Sequence, residues 1–289
     1  MKNQTKIEEV AHIDISLIDD FDGHPFTVKD DESMEELARS IEENGILNPI
    51  IVRKKDDGRY EIIAGHRRKR ACLLLEIKEI PVIIRELSRE EAVIEMVDSN
   101  FQRENILPSE RAKAYKMKMD SMKRKAGRPR KENVSPPGTR VRTDEIIARE
   151  MGESRNQIQR YIRLNELTPE LLEFVDEGKI GLRPAVEISF LTEDEQRDLV
   201  DFIDAEGVFP SHAQTIRMKA LSRAGRLNTD VINKIMREQK GNQKEKISVP
   251  VERLQKYFPR GASPKQMEET IIKALEFYRK RRREDREGR

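Results

Sequence analysis

The 289-residue chain has one cysteine, Cys72, and that scarcity is the first constraint on what it can be. A lone thiol excludes a disulfide framework and a cysteine-based zinc site. No apolar run approaches membrane-spanning length, which excludes a transmembrane helix. The first residues, MKNQTKIEEV, lack the apolar centre of a signal peptide, so a cytoplasmic protein is expected. Hydrophobic residues are scarce too: at 36% they are outnumbered by charged residues at 38%, too few for one large core. About two domains, or several small helical modules on polar connectors, fit this length.

The chain is rich in charge, spread unevenly. Residues 1–50 carry thirteen acids against four bases, a net of −9, whereas residues 116–142 carry ten bases against two acids, a net of +8. From Lys273 onward eight bases face four acids. The net charge of +2 therefore hides an acidic front with a basic middle and tail. Only part of such a chain is expected to meet a polyanion. Asp19, Asp20 and Asp22 are read as solvated loop acids.

The pattern divides into modules. Residues 10–98 read as a small α+β unit. It has a helix from about Met34 to Asn44 stopped by Gly45, strands at Ile50–Val52 and Tyr60–Ile63 around a Lys55–Gly58 turn, and a strand at Pro81–Ile84. Ser88 with Glu91 forms a capping box opening another helix. Residues 99–140 read as a basic helical connector ending in a Gly/Pro-rich linker, and residues 141–192 as helical. Residues 193–249 look helical without a chemical signature, and residues 250–289 end in a helix.

Two clusters carry chemistry. Gly65-His66-Arg67-Arg68-Lys69-Arg70-Ala71 opens a helix directly behind a strand, so free backbone N–H groups lie beside guanidinium forks. That arrangement suits phosphate; the alternative is a solvated basic helix start. Between Arg142 and Leu164, small Ala148, Gly152 and apolar Ile147, Met151, Ile158 and Tyr161 have the spacing of a helix-turn-helix. Ser154 caps its second helix, which would expose Arg155, Asn156, Gln157, Gln159 and Arg160 toward base edges. Arg128 and Arg130, around Gly127 and Pro129, have the core of a minor-groove hook or of a basic linker on phosphates.

In these two clusters and their order the chain resembles the ParB/RepB-type chromosome and plasmid partition protein family. The family motif Gly-Glu-Arg-Arg-x-Arg-Ala is matched by Gly65, Arg67, Arg68, Arg70 and Ala71. Glu-Asn-x-Gln-Arg is matched by Asn100, Gln102 and Arg103 behind Ser99. Ile106 to Ala112 follows the family's Leu-x-Pro-x-Glu-x-Ala. The resemblance implies an α+β ParB/sulfiredoxin-like N-terminal domain, an all-α helix-turn-helix domain and a C-terminal helical segment.

It further implies CTP bound by the N-terminal module, with Gly65, His66, Arg67, Arg68 and Arg70 on the triphosphate. Asn48 would lie near base and sugar, and Ser99, Asn100, Gln102 and Arg103 would complete the site, Asn100 assisting Mg2+. The helix-turn-helix would load on a palindromic duplex, CTP would close a DNA clamp, and a C-terminal helix would hold a homodimer, associated with nucleoid or plasmid.

Three departures shape the expectation. His66 replaces a Glu and contacts phosphate when protonated. Ser99 replaces the Glu tied to metal handling, and a hydroxyl is a poorer Mg2+ ligand than a carboxylate, so binding with weak or absent hydrolysis and no catalytic residue is expected. The front end lacks the Gly/Leu-rich basic peptide through which relatives contact a ParA-type ATPase, so that partner stays an open expectation.

A sulfiredoxin-like enzyme needs a thiol in the phosphate loop, and Cys72 lies outside it among apolar residues. A helix-turn-helix transcriptional regulator of a mobile element without a segregation role remains the alternative. The terminal helix, with Met267, Ile271, Ala274 and Tyr278 at helical spacing and Ile272 and Leu275 widening the stripe, is read as a dimerisation face.

Overall fold

The computed structural model describes residues 9–102, 105–125, 142–238, 257–259 and 263–287. Its front third is a five-stranded sheet in the order β1-β5-β3-β4-β2, formed by Val10–Asp14 (β1), Ile18–Asp19 (β2), Ile50–Lys54 (β3), Tyr60–Ala64 (β4) and Glu79–Arg85 (β5). The β3–β4 pair is an antiparallel hairpin; β3 runs parallel to β5, and β2 parallel to β4.

Strand alternation decides which side chains reach which layer. Ile62 of β4 joins Val52 and Val82 against Met34 and Ile41 of helix α1 (Glu32–Asn44) and Ala71 and Cys72 of α2 (His66–Leu74). Its neighbour Ile63 faces the other way, onto Val93, Met96 and Val97 of α3 (Arg89–Asn100). The sheet is thus covered on both sides, which explains its near-continuous apolar strands. The Ser88–Glu91 capping box forms as expected and starts α3.

Helix α4 (Pro108–Lys125) leaves this unit and packs against α3, and also against α5 (Thr143–Met151) and α6 (Arg155–Arg163). Its Lys118 is fully buried, yet its Nζ reaches Asp98 at the end of α3 and Glu150 of α5, 2.7 Å away. A buried ammonium needs such partners, and here they tie three helices together. Helices α7 (Pro169–Asp176), α8 (Leu182–Ile188), α9 (Glu193–Glu206), α10 (His212–Arg223) and α11 (Thr229–Arg237) follow. Leu171, Ile188, Leu199, Ile203, Met218 and Ile232 share one apolar cluster. The core therefore runs through the boundary expected at residues 192/193.

Described by itself, the terminal helix Pro264–Glu287 exposes Ile272, Leu275, Phe277 and Tyr278. Among the described residues no helix is long and apolar enough to cross a membrane.

Candidate functional site

Strand β4 delivers the chain to Gly65, whose φ of 107° is in the left-handed region. A Cβ there would lie 3.0 Å from an Arg68 nitrogen and 3.2 Å from Ile50, so the position demands glycine twice over. Helix α2 starts on the next residue, and its first backbone hydrogen bond runs from Lys69 to the Gly65 carbonyl. The N–H groups of His66, Arg67 and Arg68 thus lack helical acceptors and, with the helix dipole, form an anion-attracting end.

The side chains around it are already engaged. Arg68 donates to the carbonyls of Asn48 and Pro49, the latter at 2.9 Å, which links Asn48 to the loop through an arginine. Burial pushes the Arg68 guanidinium below the ordinary arginine value. Arg67 donates to Ser33 Oγ at 2.7 Å and lies 4.0 Å from Asp31. Arg70 makes a two-pronged pair with Asp30, at 3.0 and 2.5 Å, and holds that carboxyl below its usual range. Buried Lys69 reaches Asp20 at 2.7 Å. The His66 ring stacks on His24 with centroids 3.7 Å apart. Burial pushes the Cys72 thiol up, as expected of an inert apolar cysteine.

A cleft of about 250 Å3 gathers Gly65, His66, Arg67 and Arg68 with Ser99 and Asn100 at the end of α3, beside His24 and Val28. Two motifs 35 residues apart therefore line one space. Ser99 Oγ and Asn100 Nδ2 both donate to the Met96 carbonyl, at 3.0 and 2.8 Å, which leaves Asn100 Oδ1 as the oxygen available to a cation. Among the described residues no carboxylate lines this cleft, and no cluster of His, Cys, Asp or Glu could hold a metal alone. The donor set suits only a Mg2+ brought in by phosphate oxygens. Gln102 is exposed; Arg103 lies outside the described residues, as do Arg128 and Arg130.

His24, Asp20, Asp30, Asp31 and Ser33 were not candidates in the sequence. The only signal was an acid run before α1, and the pairings across the fold were invisible. The reading of Asp19, Asp20 and Asp22 as solvated loop acids holds for Asp20 and Asp22, which stay 76% and 81% exposed while pairing with Lys69 and Arg89. Asp19 instead ends β2, part-buried, and pairs with Arg59 and Lys55.

The helix-turn-helix has the expected anatomy. Gly152 takes φ 66° between α5 and α6, and Ser154 Oγ caps α6 by accepting from the Gln157 N–H at 3.2 Å. Ile147 and Ile158 are fully buried between the helices. Asn156 is exposed, with Gln157 and Arg160 half-buried. Arg155 and Gln159, expected simply to face bases, are exposed but engaged. Both donate to Asp144 Oδ2, at 2.8 and 2.9 Å. Burial raises the Asp144 carboxyl, but these bonds outweigh it and hold it below its ordinary value. Sequence spacing missed Asp144, since an acid in the first turn of a helix reads as a dipole partner.

A family model of the ParB N-terminal domain matches residues 1–101, and one of the ParB HTH domain matches residues 140–209. The chain is 35% identical over 150 residues to a chromosome-partitioning protein Spo0J of Thermus thermophilus, a match covering 52% of this chain and 48% of that one. It is 36% identical over 173 residues to a nucleoid occlusion protein of Listeria monocytogenes, covering 60% and 55%. The matched region thus spans about half the length of these curated relatives.

Among solved structures, the C-terminally truncated chromosome-partitioning protein ParB from Caulobacter crescentus, complexed to the centromeric parS site, aligns with a TM-score of 0.42 and 26% identity. That alignment covers 74% of this chain and 99% of that one. The same protein complexed with CTP-gamma-S aligns at 0.31 and 27%, over 68% and 99%. With a ParB N-terminal domain followed by a ParB helix-turn-helix domain, the chain belongs to the ParB-type partition protein family.

Proposed function

We propose that the chain is a sequence-specific DNA-binding partition protein, a homodimeric clamp on a palindromic duplex whose closure is governed by CTP. The observation that carries this reading is the shared cleft: the Gly65–Arg68 helix start and the Ser99–Asn100 motif line one space. The helix bearing the second motif is bolted through Lys118 to the first helix of the DNA-binding unit.

In this reading the N-terminal end of α2 and the guanidinium of Arg67 receive phosphate oxygens, Arg67 exchanging Ser33 and Asp31 for the ligand. Arg68, held by the Asn48 and Pro49 carbonyls, orients the segment toward base and sugar. His66 adds a protonatable donor beside the phosphates. A bound nucleotide would supply the negative charge and the Mg2+; Asn100 Oδ1 offers that ion one neutral ligand. Ser99 offers a hydroxyl where hydrolysis would need a carboxylate, so nucleotide is held and hydrolysed weakly or not at all.

On the other side, α6 enters the major groove with Ser154, Asn156, Gln157 and Arg160 alongside Arg155 and Gln159. The exposed apolar residues of the terminal helix support pairing with a second copy. The relatives' names, chromosome partitioning and nucleoid occlusion, agree with a DNA-bound role on the chromosome.

The deciding experiment is binding of each of the four labelled nucleoside triphosphates to wild type and Arg67→Ala. Wild type is expected to prefer CTP, and the variant to lose about tenfold or more, the scale of a charge-assisted bond. Equal weak binding of all four by both proteins would overturn the nucleotide part of this reading.

A further inference from the structure

Asp144 is a carboxylate with 4% side-chain exposure on the helix-turn-helix, the part of the molecule meant to meet a polyanion. Two costs attach to it. Burying a charge is costly unless bonds compensate, and a negative charge beside DNA phosphates weakens non-specific attraction. Asp144 nonetheless bonds two side chains of α6. Its Oδ2 accepts from Arg155 Nε at 2.8 Å and from Gln159 Nε2 at 2.9 Å, while Oδ1 lies 3.3 Å from Arg142 Nε. Arg155 and Gln159 are four residues apart, so they sit one above the other on a single face of α6.

The pattern of committed donors fixes what is left for DNA. Arg155 spends only Nε, and among the described residues its two Nη nitrogens make no hydrogen bond, leaving a two-pronged donor. Gln159 spends one N–H of its amide, which leaves Oε1 as an acceptor beside the second N–H. We propose that Asp144 is a positioning residue for sequence readout: it locks Arg155 to read guanine O6/N7 and Gln159 to accept from an exocyclic amine, cytosine N4 or adenine N6. This rests on the DNA-binding reading given above.

The test uses the full-length protein and a pool of randomised duplexes, selected first with wild type and then with Asp144→Asn and Arg155→Lys. Wild type is expected to select a site containing a G·C pair. Asp144→Asn should lose discrimination against scrambled duplex by roughly tenfold or more, the worth of one well-formed base contact, with a smaller change in non-specific affinity. Arg155→Lys, an exposed change that keeps charge but not the fork, should relax the same base pair, and the double variant should be no worse than the poorer single. Unchanged preference in Asp144→Asn, or additive losses at different base pairs, would overturn the inference. So would equal loss on all duplexes with helix content intact, since that marks a merely structural role. Failure of wild type to enrich any sequence would instead sink the DNA-binding reading itself.

Discussion

Acids sit beside arginines in both halves of this molecule, but at different depths. At the N-terminal cleft Arg67 lies near Asp31, and in the adjoining hollow, outside the cleft itself, Arg70 pairs with Asp30; these carboxylates are 56% and 49% exposed. On the helix-turn-helix Arg155 pairs with Asp144, 4% exposed. An exposed pair is worth about 0–1 kcal/mol, so an incoming phosphate can take the arginine at little cost. The buried carboxylate cannot release its partners without being left desolvated and alone. The first region is arranged to exchange partners, the second to keep one arrangement. In the proposed reading a nucleotide switch and a base reader use the same residue types and differ in burial.

The contrast can be broken in stages. The largest effect is expected from Ile158→Ala, which empties a fully buried position between α5 and α6. Loss of about 2–5 kcal/mol is typical of such truncations. Urea unfolding should register it, with DNA binding abolished and nucleotide affinity retained. Gly65→Ala comes next: at φ 107°, with Arg68 and Ile50 in the way, it should cost about 1–3 kcal/mol and at least tenfold in nucleotide affinity. Wild-type affinity in that variant would refute the cradle.

Asp30→Asn tests exchangeability directly. Freeing Arg70 of its exposed partner should raise triphosphate affinity by about two- to fivefold at low salt and less at high salt, since surface charges are screened. A fall in affinity would mean that the pair builds the site instead of competing with it.

The smallest effect concerns pH. Asp144 is held below its ordinary value by Arg155 and Gln159 despite its burial. A carboxyl depressed in the folded state stabilises above its unfolded value, and that stability is lost as pH falls through the folded one. Stability of the helix-turn-helix should therefore be flat from pH 8 to 5 and decline below roughly pH 4, and Asp144→Asn should flatten the decline. Thermal melts across that range would show it.

Much of the local anatomy was legible because its causes are local. Gly65 and Gly152 mark left-handed turns, Ser88–Glu91 and Ser154 mark helix starts, and strand alternation placed Ile62 and Ile63. Both site motifs were legible as motifs. Their partners were not, since a salt bridge leaves no trace in sequence spacing. Lys69 meets Asp20 across 49 residues, and Arg155 meets Asp144 across 11. Helical periodicity likewise shows an apolar face but not what covers it, so the packing across 192/193 was not legible. Leu171 and Ile232 cover one another's surroundings in a single cluster.

The sequence by itself determined the order of modules, the glycine-bounded helix start beside four basic residues and the helix-turn-helix, because backbone sterics, capping and periodicity act over a few residues. Tertiary structure alone decided that the two N-terminal motifs share a cleft, that Lys118 ties that unit to α5, and which arginines are held loosely or firmly. Those outcomes depend on burial, and burial is set by which distant segments pack together.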